Sequence, residues 1–146
     1  MKTKRGKTIG VIILGCLFSL LCCYNGYAKT NDTDDLKKGC STAYCLQGTT
    51  ASGEKVRSGI CAGAEKYLGK TIVIYQRLPD GSVGNQLGVF ECKDTGGTDA
   101  IKSGYCIDVW FPDHDTCKGW MNLVYKDGCK GNIYFKVVDY EKTKKD

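Results

Sequence analysis

Short hydrophobic runs rich in β-branched residues recur along the chain after residue 40, separated by polar or glycine-containing turns. This alternation is typical of β-strands. It predicts strands at 41–46, 71–77, 86–92, 105–111 and 132–140. The segment Pro79-Asp80-Gly81-Ser82 joins the second and third strands, and each of its residues suits a bend. We therefore expect a β-rich domain.

One stretch of the chain has helical rather than strand spacing. Its apolar positions, three or four residues apart, are Cys117, Trp120, Met121 and Val124. The helix is predicted to begin after Pro112 with Asp113 or Asp115 as its cap, and to end at Gly128. We interpret Trp120 and Met121 as core residues, and the alternative is a platform that stacks on sugar rings.

The run at 105–111 places a charged side chain within a strand. Because side chains alternate between the two faces of a strand, Ile107, Val109 and Phe111 share the face that we expect to pack in the core. Cys106, Asp108 and Trp110 share the other face. A carboxylate in the middle of a strand is costly unless it faces water, a partner or a cleft. Asp108 is therefore the first candidate functional residue, with Trp110 beside it as a candidate sugar contact.

A glycine turn precedes this strand. Asp94 heads the sequence Asp94-Thr95-Gly96-Gly97. Its two glycines are expected to adopt positive φ and to let the backbone approach a neighbour closely. Two carboxylates, Asp94 and Asp108, thus lie on either side of the turn in the sequence.

The N-terminal segment has the pattern of a cleavable export signal. Lys2, Lys4, Arg5 and Lys7 precede an uncharged apolar stretch at 9–21, and Gly26-Tyr27-Ala28 fits a cleavage site of small residues. The stretch is shorter than the ~18 residues that favour a membrane-spanning helix; the alternatives are an uncleaved anchor or a lipid-modified cysteine. We expect a signal peptide at 1–28, a polar linker at 29–39, and a secreted or cell-wall-associated protein with no stable membrane span after processing.

Removing the signal peptide changes the charge balance. The full chain has 21 Lys and Arg residues against 16 Asp and Glu residues, a net charge of +5. Four of the basic residues and none of the acidic ones lie at 1–28, so the processed chain is close to neutral. The sequence has no basic stripe interleaved with aromatic residues, which argues against nucleic-acid binding.

Seven of the ten cysteines follow the signal peptide, at positions 40, 45, 61, 92, 106, 117 and 129. Disulfide bonds form outside the cytoplasm and would stabilise a small domain. The odd number leaves at least one thiol free or paired between molecules, and the connectivity is open. The cysteines lack a Cys-x-x-Cys pair, and the single histidine, His114, is expected to be solvated. We therefore expect no metal site, no cofactor and no catalytic cysteine.

The order of the motifs resembles that of a known family. Asp94-Thr95-Gly96-Gly97, Ile101-Lys102-x-Gly104 and Ile107-Asp108-Val109-Trp110 are similar to the signature of the three-aspartate (3D) domain. That domain occurs in membrane-bound lytic murein transglycosylase A and in exported muralytic proteins of Gram-positive bacteria. Upstream, Thr42-Ala43-Tyr44, Thr50-Ala51-Ser52-Gly53 and Val56-Arg57-x-Gly59 resemble the family's earlier motifs. The resemblance implies an all-β domain at 40–141, a six-stranded double-psi β-barrel with one short inserted helix, before a charged tail at 142–146.

The resemblance also implies an enzyme whose partner is the glycan strands of peptidoglycan. Lytic transglycosylases break the bond between N-acetylmuramic acid and N-acetylglucosamine without water, and one carboxyl group serves as acid and then as base. By position in the motifs, Asp108 is the implied acid/base. Asp94 would orient Asp108 or a substrate hydroxyl, and its charge would raise the pKa of Asp108. The implied substrate-binding residues are Trp110, Thr95, Gly96, Gly97 and Asp99.

Two departures from the family pattern leave alternatives open. The family's first aspartate has no counterpart in Ile60-Cys61-Ala62-Gly63-Ala64, where Glu65 is the nearest acid, and Thr98-Asp99 looks like an insertion. Asp99 either replaces the missing carboxylate or, in the interpretation that we favour, is a solvated loop residue. Three functional classes follow: a glycan-cleaving enzyme, which we favour, a catalytically silent glycan-binding barrel, and a secreted, disulfide-stabilised interaction domain. The oligomeric state is left open.

Overall fold

Six strands form a closed barrel in a computed structural model that describes residues 35–126 and 130–139. The strands are β1 Lys37–Tyr44, β2 Ile60–Gly63, β3 Thr71–Arg77, β4 Val83–Thr95, β5 Cys106–Trp110 and β6 Asn132–Val138. The helices are a single 3₁₀ turn at Glu65–Tyr67, α1 Asp99–Lys102 and α2 His114–Tyr125. The predicted number of strands and their closure into a barrel are confirmed.

The strand order around the barrel is β1-β5-β2-β4-β3-β6. Two neighbouring pairs, β1 with β5 and β2 with β4, are parallel. The other pairs are antiparallel, and β6 closes the barrel against β1. Because β5 lies between β1 and β2, residues from the first third of the domain lie beside residues from its last third.

The barrel core confirms the predicted core face of β5, although Cys106 and Trp110 on the other face are buried as well. Ile107 and Val109 have no solvent exposure and pack in one cluster with Ile72, Ile74 and Phe135, while Phe111 packs against that cluster. Burying a side chain of this size contributes about 1.5–3 kcal/mol. Trp120 belongs to the same cluster and Met121 packs against it. Their interpretation as core residues is therefore confirmed.

Helix α2 has the predicted cap at Asp113, and its predicted apolar face packs on the barrel. The Asp113 carboxylate accepts a hydrogen bond from the Thr116 backbone N–H at 2.7 Å, which satisfies a donor at the helix start. Trp120 Nε1 donates to the hydroxyl of the fully buried Ser41 at 3.0 Å, which fixes α2 on β1. The predicted helix end at Gly128 lies outside the described residues.

Several boundaries differ from the prediction. Strand β1 begins at Lys37, so 37–39 of the predicted linker are strand, and β4 extends from Val83 to Thr95. The strand β2 and the helix α1 were missed, and the expectation of one inserted helix was wrong. β2 has four residues, three of them small, and α1 is a single turn capped by Thr98, so neither is long enough to show a periodicity.

The predicted signal peptide at 1–28, the tail at 142–146 and Cys129 lie outside the described residues. In the described part of the chain, the helices are too short or too polar to cross a membrane.

Candidate functional site

Four residues at one level of the barrel form a row across neighbouring strands. Thr42 on β1 is the register partner of Asp108 on β5, and Asp108 is the partner of Ala62 on β2. Ala62 is in turn the partner of Asp94 on β4. We call Thr42, Asp108, Ala62 and Asp94 the acidic row. Since neighbouring strands lie about 4.8 Å apart, the Cα atoms of Asp94 and Asp108 are separated by about 10 Å.

The Asp108 carboxyl is half-buried, and one of its two oxygens accepts a hydrogen bond. Thr42 Oγ1 donates a hydrogen bond to Asp108 Oδ1 at 2.6 Å. The other oxygen, Oδ2, accepts no hydrogen bond from the residues that the structure describes. Burial raises the pKa of Asp108 above its ordinary value, and the Thr42 hydrogen bond lowers it in part. Burial, and not the expected charge of Asp94, is the cause of the rise.

The Asp94 carboxylate has a different environment. Its Oδ1 accepts from the backbone N–H groups of Ala51 and Thr95, both at 2.9 Å. Its Oδ2 accepts from the Tyr44 hydroxyl at 3.4 Å. Asp94 therefore fastens three segments together: the end of β1, the loop between β1 and β2, and the glycine turn.

Tyr44 connects the two carboxylates electrostatically. Burial raises the pKa of its phenol first, and the negative charges of Asp94 and Asp108 raise it further. Thr42 and Tyr44 are two residues apart on β1 and so share a face; because they bond to Asp108 and Asp94, the two carboxylates lie towards that same face. The phenol keeps its proton at neutral pH and acts as a hydrogen-bond donor.

An ion-pair network holds the loop between β1 and β2 against β4. The four residues are Glu54 and Arg57 on the loop and Glu91 and Lys93 on β4. Arg57 contacts Glu91 at 3.0 Å, and Lys93 contacts Glu54 at 2.9 Å, with longer contacts between the other two pairs. The Ser52 N–H also donates to the Lys93 carbonyl at 3.0 Å. These contacts lie close in the chain to Ala51, whose N–H donates to Asp94.

The glycine turn is tight, but not in the way predicted. A Cβ on Gly96 would lie 2.4 Å from Ile101 Cδ1, so the expected close approach is confirmed at that residue. Neither Gly96 nor Gly97 has positive φ, so that part of the prediction is wrong. At Gly96 the requirement for glycine is one of space, because the buried Ile101 of α1 packs against its backbone.

A pocket of about 570 Å³ lies next to Ala51 and Thr95, the residues whose N–H groups donate to Asp94, and neither Asp94 nor Asp108 is among its lining residues. It is lined by Ala51, Gly63, Glu65, Leu68, Thr95, Gly96 and Lys102. Its volume is typical of small-molecule sites, which span about 300–1,000 Å³. Thr95 and Gly96, two of the predicted substrate-binding residues, are among its walls, and Glu65 and Lys102 supply opposite charges.

The remaining predicted residues lie elsewhere. The Trp110 ring is 6% exposed, and its Nε1 donates to the Leu46 carbonyl at 2.9 Å, so it anchors the loop after β1. Asp99 is an exposed residue in the first turn of α1, and its side chain makes no hydrogen bond or ion pair with the described residues. Gly97 is exposed on the turn, and His114 is exposed at the start of α2, as expected.

Sequence reasoning missed Thr42, Tyr44 and the Ala51 N–H as parts of the site. The signal that could have found them was present, since all three lie in motifs that resemble the family's earlier ones. Their partners are distant in the chain, 66 residues away for Thr42 and 50 for Tyr44. The strand register was needed to bring them together.

Within the described residues, no group of three or more His, Cys, Asp and Glu side chains is arranged to hold a metal ion. Comparisons of the chain with protein-family models, with curated proteins and with solved structures gave no match.

Proposed function

We propose that the protein is an exported enzyme that cleaves the glycan strands of peptidoglycan, with Asp108 as its acid/base. The state of the Asp108 carboxyl carries the proposal. It is half-buried, its pKa is raised, and one oxygen is held while the other is free of described partners. A general acid needs a proton retained towards neutral pH and an oxygen that reaches the substrate.

The reaction that fits a single acid/base is lytic transglycosylation. Protonated Asp108 gives its proton to the glycosidic oxygen as the bond from that oxygen to C1 of N-acetylmuramic acid breaks. The carboxylate then takes the proton of the 6-hydroxyl of the same sugar while O6 bonds to C1. The products are a 1,6-anhydro-muramyl end and an N-acetylglucosamine with a free 4-hydroxyl, and Asp108 regains its proton.

The three hydrogen bonds to Asp94 support this reaction over hydrolysis. A hydrolase uses a second carboxylate to activate water or to attack the sugar. Both oxygens of Asp94 are engaged by Ala51, Thr95 and Tyr44. Its role is therefore to position the loops that border the pocket, where Thr95 and Gly96 would contact the glycan.

The parallel pairs β1–β5 and β2–β4 within a six-stranded barrel support the assignment to the double-psi type and to the 3D domain. The predicted signal peptide at 1–28 supports export to the cell wall.

A catalytically silent glycan-binding barrel is the second candidate, and one observation favours it. The stretch where the family's first aspartate is missing contains Ala62, and this apolar residue separates Asp94 from Asp108. The acidic row thus contains two carboxyl groups, and the third aspartate of the family pattern is absent from it.

Incubation of the purified protein with murein, followed by analysis of the released fragments, distinguishes these functions. We expect 1,6-anhydro-muramyl products, a loss of at least about 100-fold in Asp108→Asn, and no change in Asp115→Asn on the exposed side of α2. Murein that binds the protein but releases nothing would overturn the enzyme and support the binding barrel. Products with reducing ends would indicate a hydrolase instead.

A further inference from the structure

The six described cysteines are grouped in pairs. Cys40 on β1 is the register partner of Cys106 on β5, and Cys61 on β2 is the partner of Cys92 on β4. Neighbouring strands lie about 4.8 Å apart, which is inside the range of about 4.4–6.8 Å between Cα atoms of bonded cysteines. In each pair one thiol affects the pKa of the other, which places them side by side. All four are free thiols in this structure.

The third pair joins the end of β1 to helix α2. Cys45 directly follows β1, and Cys117 lies one helical turn before Trp120, whose indole is bonded to Ser41 on β1. Cys45 also affects the pKa of the Cys117 thiol, which places the two side by side, and both are free thiols in this structure.

Each pair joins a different combination of elements: β1 with β5, β2 with β4, and the end of β1 with α2. Cys61 and Cys92 are in the barrel core without solvent exposure. Cys106 lies on the opposite face of β5 from Ile107, and its sulfur is 3.9 Å from Thr42 Oγ1. Six cysteines allow 15 pairings, and the thiols of Cys61, Cys92, Cys106 and Cys117 are each influenced by one other cysteine only.

Each pair also lies next to the candidate site. Cys106 precedes Asp108 by two residues, Cys92 precedes Asp94 by two residues, and Cys45 follows Tyr44. A bond within each pair would hold together the strands that carry these side chains.

We propose that Cys40–Cys106, Cys45–Cys117 and Cys61–Cys92 are disulfide bonds in the exported protein, and that they fix the strands of the acidic row. The pairing goes beyond the proposed function, because it holds whether or not the protein cleaves glycan. Seven cysteines follow the predicted signal peptide and the pairing uses six of them, so Cys129 is left unpaired by the proposal.

Each bond forms by exchange with the disulfide of an oxidising thiol–disulfide oxidoreductase. One cysteine thiolate attacks that disulfide to give a mixed disulfide, and the second cysteine then displaces the oxidoreductase sulfur. The two cysteines lose two electrons and two protons, and the oxidoreductase disulfide is reduced to two thiols.

In the folded barrel, Cys106 and Cys117 are poor nucleophiles. Burial raises the pKa of Cys106 to about 12 and that of Cys117 to about 11. Because the thiolate is the reactive form, the exchange is expected before the barrel closes.

Peptide mapping tests the pairing. The full chain is exported from a host cell, alkylated under denaturing conditions without reductant, and digested for mass spectrometry. Trypsin alone leaves Cys40 with Cys45 on residues 39–55 and Cys106 with Cys117 on residues 103–118. Chymotrypsin cuts after Tyr44 and Trp110 and separates both sets. We expect three linked peptides that disappear on reduction, with Cys129 alkylated.

Cys106→Ser should leave Cys40 open to alkylation while the other two pairs stay linked, and Cys129→Ser should leave all three pairs linked. A map of the unaltered chain in which the six cysteines are alkylated, or in which a different pairing predominates, would overturn the proposal even if a variant fails to fold.

Discussion

Asp108 and Asp94 lie in the same row of the barrel, yet their surroundings differ in almost every respect. Asp108 is half-buried, accepts one hydrogen bond from Thr42, and has a raised pKa. Asp94 accepts hydrogen bonds from three segments of the chain. A carboxylate with three donors holds structure in place, whereas a carboxyl with one donor and a free oxygen is available for proton transfer. The two acids therefore differ in role because Asp94 accepts three hydrogen bonds and Asp108 accepts one.

The largest effect on folding is expected at Asp94. Asp94→Ala removes the acceptor of three hydrogen bonds, each worth about 1 kcal/mol, so it should lower the free energy of unfolding by about 2–3 kcal/mol. Asp108→Ala removes one hydrogen bond and should cost clearly less. Urea unfolding of both variants measures the difference.

Asp99→Ala is the control for this comparison, because its exposed side chain has no described partner, and it should leave the unfolding free energy unchanged. Equal losses in Asp94→Ala and Asp108→Ala would mean that the two acids do not have the separate roles assigned to them.

A smaller, pH-dependent effect is expected at Asp108. Its pKa in the folded protein is raised above the ordinary value of 3.8 by burial. A raised folded pKa contributes stability that is present below the unfolded pKa and is lost as pH rises through the folded pKa. Asp108→Asn does not titrate, so its stability should improve relative to the unaltered protein between pH 3 and pH 7. Each unit of raised pKa corresponds to about 1.4 kcal/mol.

Unfolding curves at several pH values, with Asp115→Asn as the matched control, measure this gain. A difference between Asp108→Asn and the unaltered protein that stays constant or falls with rising pH would contradict burial as the dominant influence on Asp108.

The smallest effect is expected in the ion-pair network beside Asp94. Glu54→Gln removes the contacts to Lys93 and Arg57, but these groups are exposed and screened by water and salt. We expect a shift in melting temperature of roughly one or two degrees, and a smaller one in 1 M salt. A shift as large as that of Asp94→Ala would show that the network, rather than Asp94, holds the loop.

Local sequence patterns predicted much of the barrel. The β-branched run of β3 was predicted at its observed bounds, and the alternation in β5 placed Ile107 and Val109 in the core. Two features depended on distant packing instead. Ile101 fills the space beside Gly96, and Trp110 is buried with its Nε1 donating to the Leu46 carbonyl.

The acids of the site could be predicted, but their separate environments could not. Asp108 stood out because a charged side chain is costly within a strand, and Asp94 because it heads the glycine turn and the Asp94-Thr95-Gly96-Gly97 motif. Their donors, Tyr44 and Thr42, come from β1 through a parallel pairing with β5 that no local pattern encodes. The same applies to Ala62, whose position between the acids follows from the pairing of β2 on both sides.

The most direct test of Asp108 as a carboxyl held ready for proton transfer is its titration, followed through its side-chain carbonyl carbon by NMR and assigned with Asp108→Asn. The midpoint is predicted to lie above the ordinary value of 3.8, because burial raises the pKa of Asp108. Thr42→Val removes the hydrogen bond that lowers this pKa, so it should move the midpoint higher still. A midpoint at or below 3.8, or one that Thr42→Val leaves unmoved, would contradict the account.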